Sequence, residues 1–281
     1  MDNLLVAVSG GADSMYMLHT LKGFKNIHVA HVNYNYREDS YVDEKIVRDY
    51  CKSNNIQCHV LNVKSKGIQN FEAWARDVRY NFFNHLLNTF KLSKIATAHH
   101  KGDQAETLMI RIERGTGLIG LGGIRKETDK LVRPLLDMTK SQIYTECERL
   151  NIPFHEDYTN NDTKFKRNHY RHNVLNEEKI DKLCKIADTV QSIEKKMIPM
   201  LYKMYGHMIK DDGITITIDK KLPSDDLTFI LLADVFKSRF LLNSNIFENI
   251  FTDKPSMKKF YISKNVICNK LKKRTIQISF N

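Results

Sequence analysis

No run of apolar residues in this chain approaches the ~20 needed to cross a bilayer as a helix. Its five cysteines form no CxxC pair, and no GxxxxGKS or GxxxxGKT loop occurs anywhere. The first absence excludes a membrane-spanning helix. The second argues against a zinc ribbon, an iron–sulfur site or a disulfide framework. It leaves Cys51, Cys58, Cys147, Cys184 and Cys268 as reduced, packed thiols of an intracellular protein. The third excludes the ordinary P-loop, whose lysine reaches the β- and γ-phosphates. No internal repeat is evident. A strand-like run starts at Leu4 and leaves no room for a signal peptide, so a cytoplasmic location is expected.

What is present is a chain of 281 residues with an ordinary apolar fraction of 42%. That is enough to bury a sizeable core, as one large domain with a smaller one beside it. The formal charge of +11 and a pI near 9.3 fit a polyanionic partner, nucleic acid first. Lysine outnumbers arginine 31 to 13, however, a bias that AT-rich coding also produces, so charge alone does not decide.

Strand-like and helical patterns alternate through the first half. Leu4–Val8, Ile27–Val32, "CHVLNV" at 58–63 and "KIATAH" at 94–99 read as strands. Helical spacing fills Asp13–Lys22, Tyr41–Asn54, Phe71–Thr89 and Gly102–Arg114. Such alternation predicts an α/β fold, a doubly wound, mostly parallel, Rossmann-like sheet with ligands at the carboxyl ends of its strands. "RGTGLIGLGGI" at 114–124 carries five of the twelve glycines and reads as an irregular loop. A helix follows over Lys140–Leu150, started by Thr139 or Ser141. A break is expected near 210. The domains expected are a catalytic one over 1–176, a helical linker over 177–212 and a small, basic α+β one over 213–281.

Three constellations carry chemistry. "SGGADS" at 9–14 joins the first strand to the first helix with small residues and backbone N–H groups, an anion cradle without lysine. In "AHHKGDQAET" at 98–107, Asp103 and Glu106 share a helix face at i, i+3, beside His99. Two such carboxylates suit a metal or a primary amine. In "FEAWARDVRY" at 71–80, Arg76 and Arg79 share a face and offer planar forks for phosphate. Each reads equally as a solvated helix end or face when taken alone. "KFKRNHYRH" at 164–172 mixes cations with aromatics, as RNA binding requires.

SGGxDS resembles the PP-loop of the N-type ATP pyrophosphatases, with an adenine nucleotide alpha hydrolase-like fold. Taken in order with "HVNYNYREDSYVDE", "FEAWARDVRY", "ATAHHKGDQAETLMIRIERGTGLIGLGGI", "RPLL" and "EDYTNNDTKFKRNHYRHNV", the chain resembles the tRNA(Ile)-lysidine synthases over about residues 4–175. The resemblance implies an ATP-dependent carbon–nitrogen ligase. Such an enzyme adenylates the wobble cytidine of the isoleucine tRNA with a CAU anticodon, then attaches L-lysine. It implies ATP contacts from Ser9, Gly10, Gly11, Ala12, Asp13, Ser14, His31 and His99, although His31 also reads as a packing residue. It implies lysine contacts from Asp13, Asp103 and Glu106, with Mg²⁺ sharing Asp13. One of Arg76 and Arg79 would stabilise charge at the α-phosphate. tRNA contacts would come from Arg37, Arg111, Arg114, Thr116, Lys164, Lys166, Arg167, Asn168 and Arg171. The glycine loop would close over the activated base. No membrane and no obligate protein partner are implied. One position departs from the pattern: Tyr34 stands where the family has histidine.

Other readings use the same loop. A tRNA thiolase should show paired catalytic or cluster-binding cysteines, and none are present. A glutamine-dependent amidotransferase needs a glutaminase segment, and none is visible. A binding module without turnover has no need of Asp13, Asp103 and Glu106 together.

Overall fold

The computed structural model describes residues 3–65, 68, 70–156, 169–213, 215–219, 221–236, 247, 250–251, 259–263, 266–271 and 275–280. The chain folds into two compact units, 1–187 and 188–281.

The first unit is built on five parallel strands in the order β3-β2-β1-β4-β5. They are β1 (Leu4–Ala7), β2 (Ile27–Asn33), β3 (Gln57–Asn62), β4 (Lys94–Ala96) and β5 (Leu131–Val132). Side chains alternate across a strand, so β1 feeds two cores. Leu4, Val6 and Val8 pack with Met15 and Leu18 of α1 (Ala12–Leu21), Val47 of α2 (Ser40–Ser53) and Ile143 of α6 (Lys140–Arg149). Leu5 faces the opposite way, into Phe83, Leu86 and Leu87 of α3 (Phe71–Phe90). The sheet is therefore covered on both faces, as the near-continuous apolar strands require.

Strand order reverses between β1 and β4, which makes the crevice at their carboxyl ends the switch point of the sheet. The loop after β1 leads into α1. The loop after β4 leads into α4 (Lys101–Glu113). That helix starts on a reciprocal cap: the His100 ring accepts from the Gly102 N–H at 3.0 Å, and Asp103 accepts from the His100 N–H at 2.9 Å. The glycine-rich stretch differs from the irregular loop expected, because Leu118–Leu121 forms one helical turn, α5. Gln104 and Arg111 of α4 pin that stretch to the body by bonds to Ile124, Gly120 and Gly123.

The expected linker is for most of its length one helix, α7 (Glu177–Tyr205), and the boundary between the units falls inside it. Its Leu183 and Ala187 pack on Ala105 and Leu108 of α4. The second unit holds an antiparallel sheet in the order β6-β7-β10-β9-β8 and helix α8 (Asp226–Phe236). Its strands are β6 (Ile209–Asp211), β7 (Thr215–Asp219), β8 (Lys259–Ser263), β9 (Val266–Leu271) and β10 (Thr275–Phe280). Ile216 and Ile218 alternate inward from "TITID" onto Phe236, Ile276 and Ile278. Among the described residues, no helix is long and apolar enough to cross a membrane.

Candidate active site

The loop at 8–12 is shaped by two close contacts. Gly10 has φ +102°, and a Cβ there would lie 2.9 Å from the Cβ of Asp43. Ser14, buried at the first turn of α1, accepts from the Ser9 and Gly10 N–H groups at 3.1 and 3.2 Å and donates to the Gly11 carbonyl. Gly11, the N-cap of α1, gives that helix no side-chain cap. Its first N–H groups and dipole thus face the crevice without a protein acceptor from the cap, which favours an anion there.

The loop is braced from outside by His155 and Asp43, which motif reading did not single out, and by Arg37 and His31, which it did. His155 donates its backbone N–H to the Gly10 carbonyl at 3.1 Å, and its ring meets Asp43 at 3.0 Å. Arg37 donates to Asp43 at 2.5 Å, with its guanidinium largely buried. His31 is 2% exposed; one ring nitrogen meets the Val8 carbonyl at 2.9 Å and the other has no partner among the described residues. Burial holds this imidazole below the usual histidine range, although the Val8 carbonyl, Glu44 and Asp43 pull the other way.

Across the crevice the carboxylates converge. Glu106, 1% exposed, accepts from Arg171 Nε at 2.7 Å, and Asp103 lies 3.7 Å from the same guanidinium. Burial opposes the Arg171 charge, but bonding to Glu106 and the charges of Glu106, Asp103 and Asp13 hold it above the usual arginine range. Burial alone would raise Asp103, yet His100, His99, the His100 N–H and Arg171 hold its carboxyl below the usual range. Asp13 accepts from Lys140 Nζ at 2.7 Å, while its Oδ1 is buried and accepts nothing among the described residues. Lys140 in turn lies 4.9 Å over the Tyr144 ring. Asp13 thus carries the Lys140 ammonium, while Asp103 and Glu106 share the Arg171 guanidinium, whose charge Asp13 also helps to hold.

The remaining expected residues fall in several places. His99 meets Thr97 at 3.0 Å beside Asp103. Arg76 and Arg79 are exposed on α3, with Arg76 over the Tyr80 ring and Arg79 close enough to act on the Tyr34 hydroxyl. Arg111 donates to the Gly120 and Gly123 carbonyls, so its fork holds the glycine stretch. Arg114 is exposed at the end of α4, and Thr116 is half-buried. Lys164, Lys166, Arg167 and Asn168 lie outside the described residues.

Residues 1–178 match the model of the PP-loop domain family. A tRNA(Ile)-lysidine synthase of Mesoplasma florum is 36% identical over 279 residues, covering 92% of this chain and 68% of that protein. The chain belongs to the tRNA(Ile)-lysidine synthase family. Another member, from Clostridium perfringens, is 41% identical over 182 residues, 60% of this chain and 39% of its own. The chain thus spans between about two fifths and two thirds of the lengths of these two relatives. Among solved structures, a U34-tRNA thiolase of Methanococcus maripaludis aligns with a TM-score of 0.47 at 16% identity, over 68% of each chain.

The cysteines sit apart from this chemistry. Cys147 is buried behind the loop, 3.6 Å from the Ala12 carbonyl, and burial together with Asp13 pushes its thiol up to about 11. A thiol so held is a packed hydrophobe and a poor nucleophile.

Proposed function

We propose that this chain is an ATP-dependent tRNA(Ile)-lysidine synthase acting on the CAU-anticodon isoleucine tRNA. The 2-oxo oxygen of the wobble cytosine attacks the α-phosphate of ATP, and pyrophosphate leaves. The amine of L-lysine then attacks ring carbon 2 and displaces AMP. The observation that carries this reading is an uncapped PP-loop helix whose Asp13 holds an ammonium, with Asp103 and Glu106 of the helix after β4 holding a guanidinium.

Each half-reaction has its group. The PP-loop N–H donors and the α1 dipole receive the departing pyrophosphate, whose charge grows as the bond to the α-phosphate breaks. The carboxylates already bind an ammonium and a guanidinium of the protein itself, Lys140 and Arg171. Substrate lysine presents the same chemistry and would replace or join them, which orients its amine toward the cytosine. Asp103, its carboxyl held below the usual range by the neighbouring histidines and Arg171, keeps that attraction at neutral pH.

Asp13 also fits a Mg²⁺ ion shared with ATP phosphates. Such an ion asks for only one or two carboxylates beside phosphate oxygens, and the buried Oδ1 of Asp13 accepts no hydrogen bond among the described residues. Bound there, the ion would draw charge from the leaving pyrophosphate. Arg76 or Arg79 supplies a further positive charge to the α-phosphate.

The test combines purified protein, ATP, labelled lysine and unmodified CAU isoleucine tRNA. Label enters the RNA with release of AMP and pyrophosphate. Release of AMP without lysine in the RNA would place the chain among other PP-loop enzymes. No AMP release at all would make it a binding module.

A further inference from the structure

The segment leaving β2 reverses at Asn35, whose φ is +49°, with its N–H on the Asn33 side chain and its amide on the Val63 carbonyl. This turn sends Tyr34 and Tyr36 against the start of α3. Tyr34 is half-buried: its hydroxyl donates to the Ala75 carbonyl at 2.9 Å, and its ring meets Phe71 and Trp74 edge-on at 5.6 and 6.0 Å. The tyrosine that replaces the family's histidine is thus a supporting member of a cluster. Tyr36 is the outer member. Its ring stacks on Phe71 at 4.5 Å and 23°, yet 60% of it stays exposed.

An aromatic ring backed by another on one side and open on the other is what a splayed base stacks upon. Its position fits the reacting end of the sheet. Arg37, the next residue, is tied to Asp43, and Asp43 packs on Gly10 of the PP-loop. Tyr36 thus follows the carboxyl end of β2 and precedes the arginine that ties Asp43 beside the phosphate loop, on a chain of net charge +11. The cytosine that reacts has to reach the α-phosphate, so this ring is left for a neighbour.

We propose that the Tyr36–Phe71 stack is a landing site for an unpaired base of the tRNA anticodon loop next to the cytidine that reacts. This rests on the lysidine synthase reading, and it makes Tyr36 a tRNA-positioning residue. Trp74, the chain's one tryptophan, lies 5.9 Å from Phe71 and reports on the cluster.

The experiment titrates the full chain with the anticodon stem-loop of CAU isoleucine tRNA while following Trp74 fluorescence, and measures KM for tRNA and for ATP. Wild-type fluorescence shifts on binding. Tyr36→Ala raises the Kd and KM for RNA about tenfold, the order that one base–aromatic stack is worth. It leaves the KM for ATP and the salt slope of binding unchanged, and Tyr36→Trp and Tyr36→Phe restore affinity. A Tyr36→Ala protein with wild-type RNA affinity overturns the proposal. So does a Tyr36→Phe protein as weak as Tyr36→Ala, because the hydroxyl would then be the contact. Failure of the parent reading looks different: wild-type protein binds the stem-loop through Tyr36 but puts no lysine into tRNA.

Discussion

Gly10 is the position where the backbone leaves least choice. Its φ of +102° is strained for any side chain, and the Cβ of alanine would press on the Cβ and backbone of Asp43. Gly10→Ala should cost about 2 kcal/mol and distort the N–H cradle; a urea melt and an ATP KM raised at least tenfold check both. Asp103→Ala should cut lysine transfer far more than tRNA affinity, measured as labelled lysine incorporated against filter-binding Kd; a mere loss of tRNA binding would refute the amine-site role. His31 gives a pH signature. Its folded pKa is depressed by burial, so below the unfolded value near 6.5 the unfolded chain binds the extra proton. Stability is therefore full above that pH and falls as the solution is acidified, and His31→Gln should show a shallower fall in urea midpoint between pH 7.5 and 5.5. These residues were legible because loop and carboxylates lie in short local blocks. Their partners were not: Lys140 reaches Asp13 across 127 positions and Arg171 reaches Glu106 across 65, distances that only the fold closes. Arg171 was legible as a cation in a basic segment, but its carboxylate partner was not.

Elements were legible wherever burial repeats with a simple period. β1 alternates between two cores, and α3 returns Phe83, Leu86 and Leu87 to one face, so both read directly from the chain. Termini were legible where a cap exists. α6 begins at Thr139, which accepts from the Gln142 N–H at 3.2 Å while Gln142 accepts from the Thr139 N–H at 2.9 Å. Thr139→Ala should lower stability by about 1 kcal/mol, and Thr139→Ser should restore it in the same denaturation experiment. The first residue of α6 is Lys140, so fraying this turn also loosens the ammonium on Asp13. The one-turn α5 was hidden because four residues, one of them glycine, carry no period; its shape comes from Arg111 and Gln104 of α4. The break inside α7 was hidden for the opposite reason. Its periodic apolar face runs unbroken from one unit into the next, and periodicity does not say which core each turn serves.

At the scale of the molecule, a charge of +11 predicts that RNA affinity is largely electrostatic. Single strands release counterions with a slope of about 0.7 per phosphate neutralised, and duplexes about 0.9. The cations that can contribute are not equal. Arg37 is paired with Asp43 and Arg171 with carboxylates, so their charges are already compensated inside the fold, and the fork of Arg111 is occupied by two carbonyls. Among the described residues, Arg76, Arg79 and Arg114 are exposed, and the sequence adds the basic run with Lys164, Lys166 and Arg167. Replacing Lys164 and Lys166 together by glutamine should therefore weaken tRNA binding severalfold at 100 mM salt. It should also reduce the slope of log Kd against log salt by between one and two, with the lysine KM unchanged. A wild-type slope in that variant would mean these lysines never meet phosphate. Tyr36→Ala makes the complementary case, because a lost stack weakens binding equally at every salt concentration. The two variants measured over one salt series thus separate the charge that attracts the tRNA from the ring that positions it.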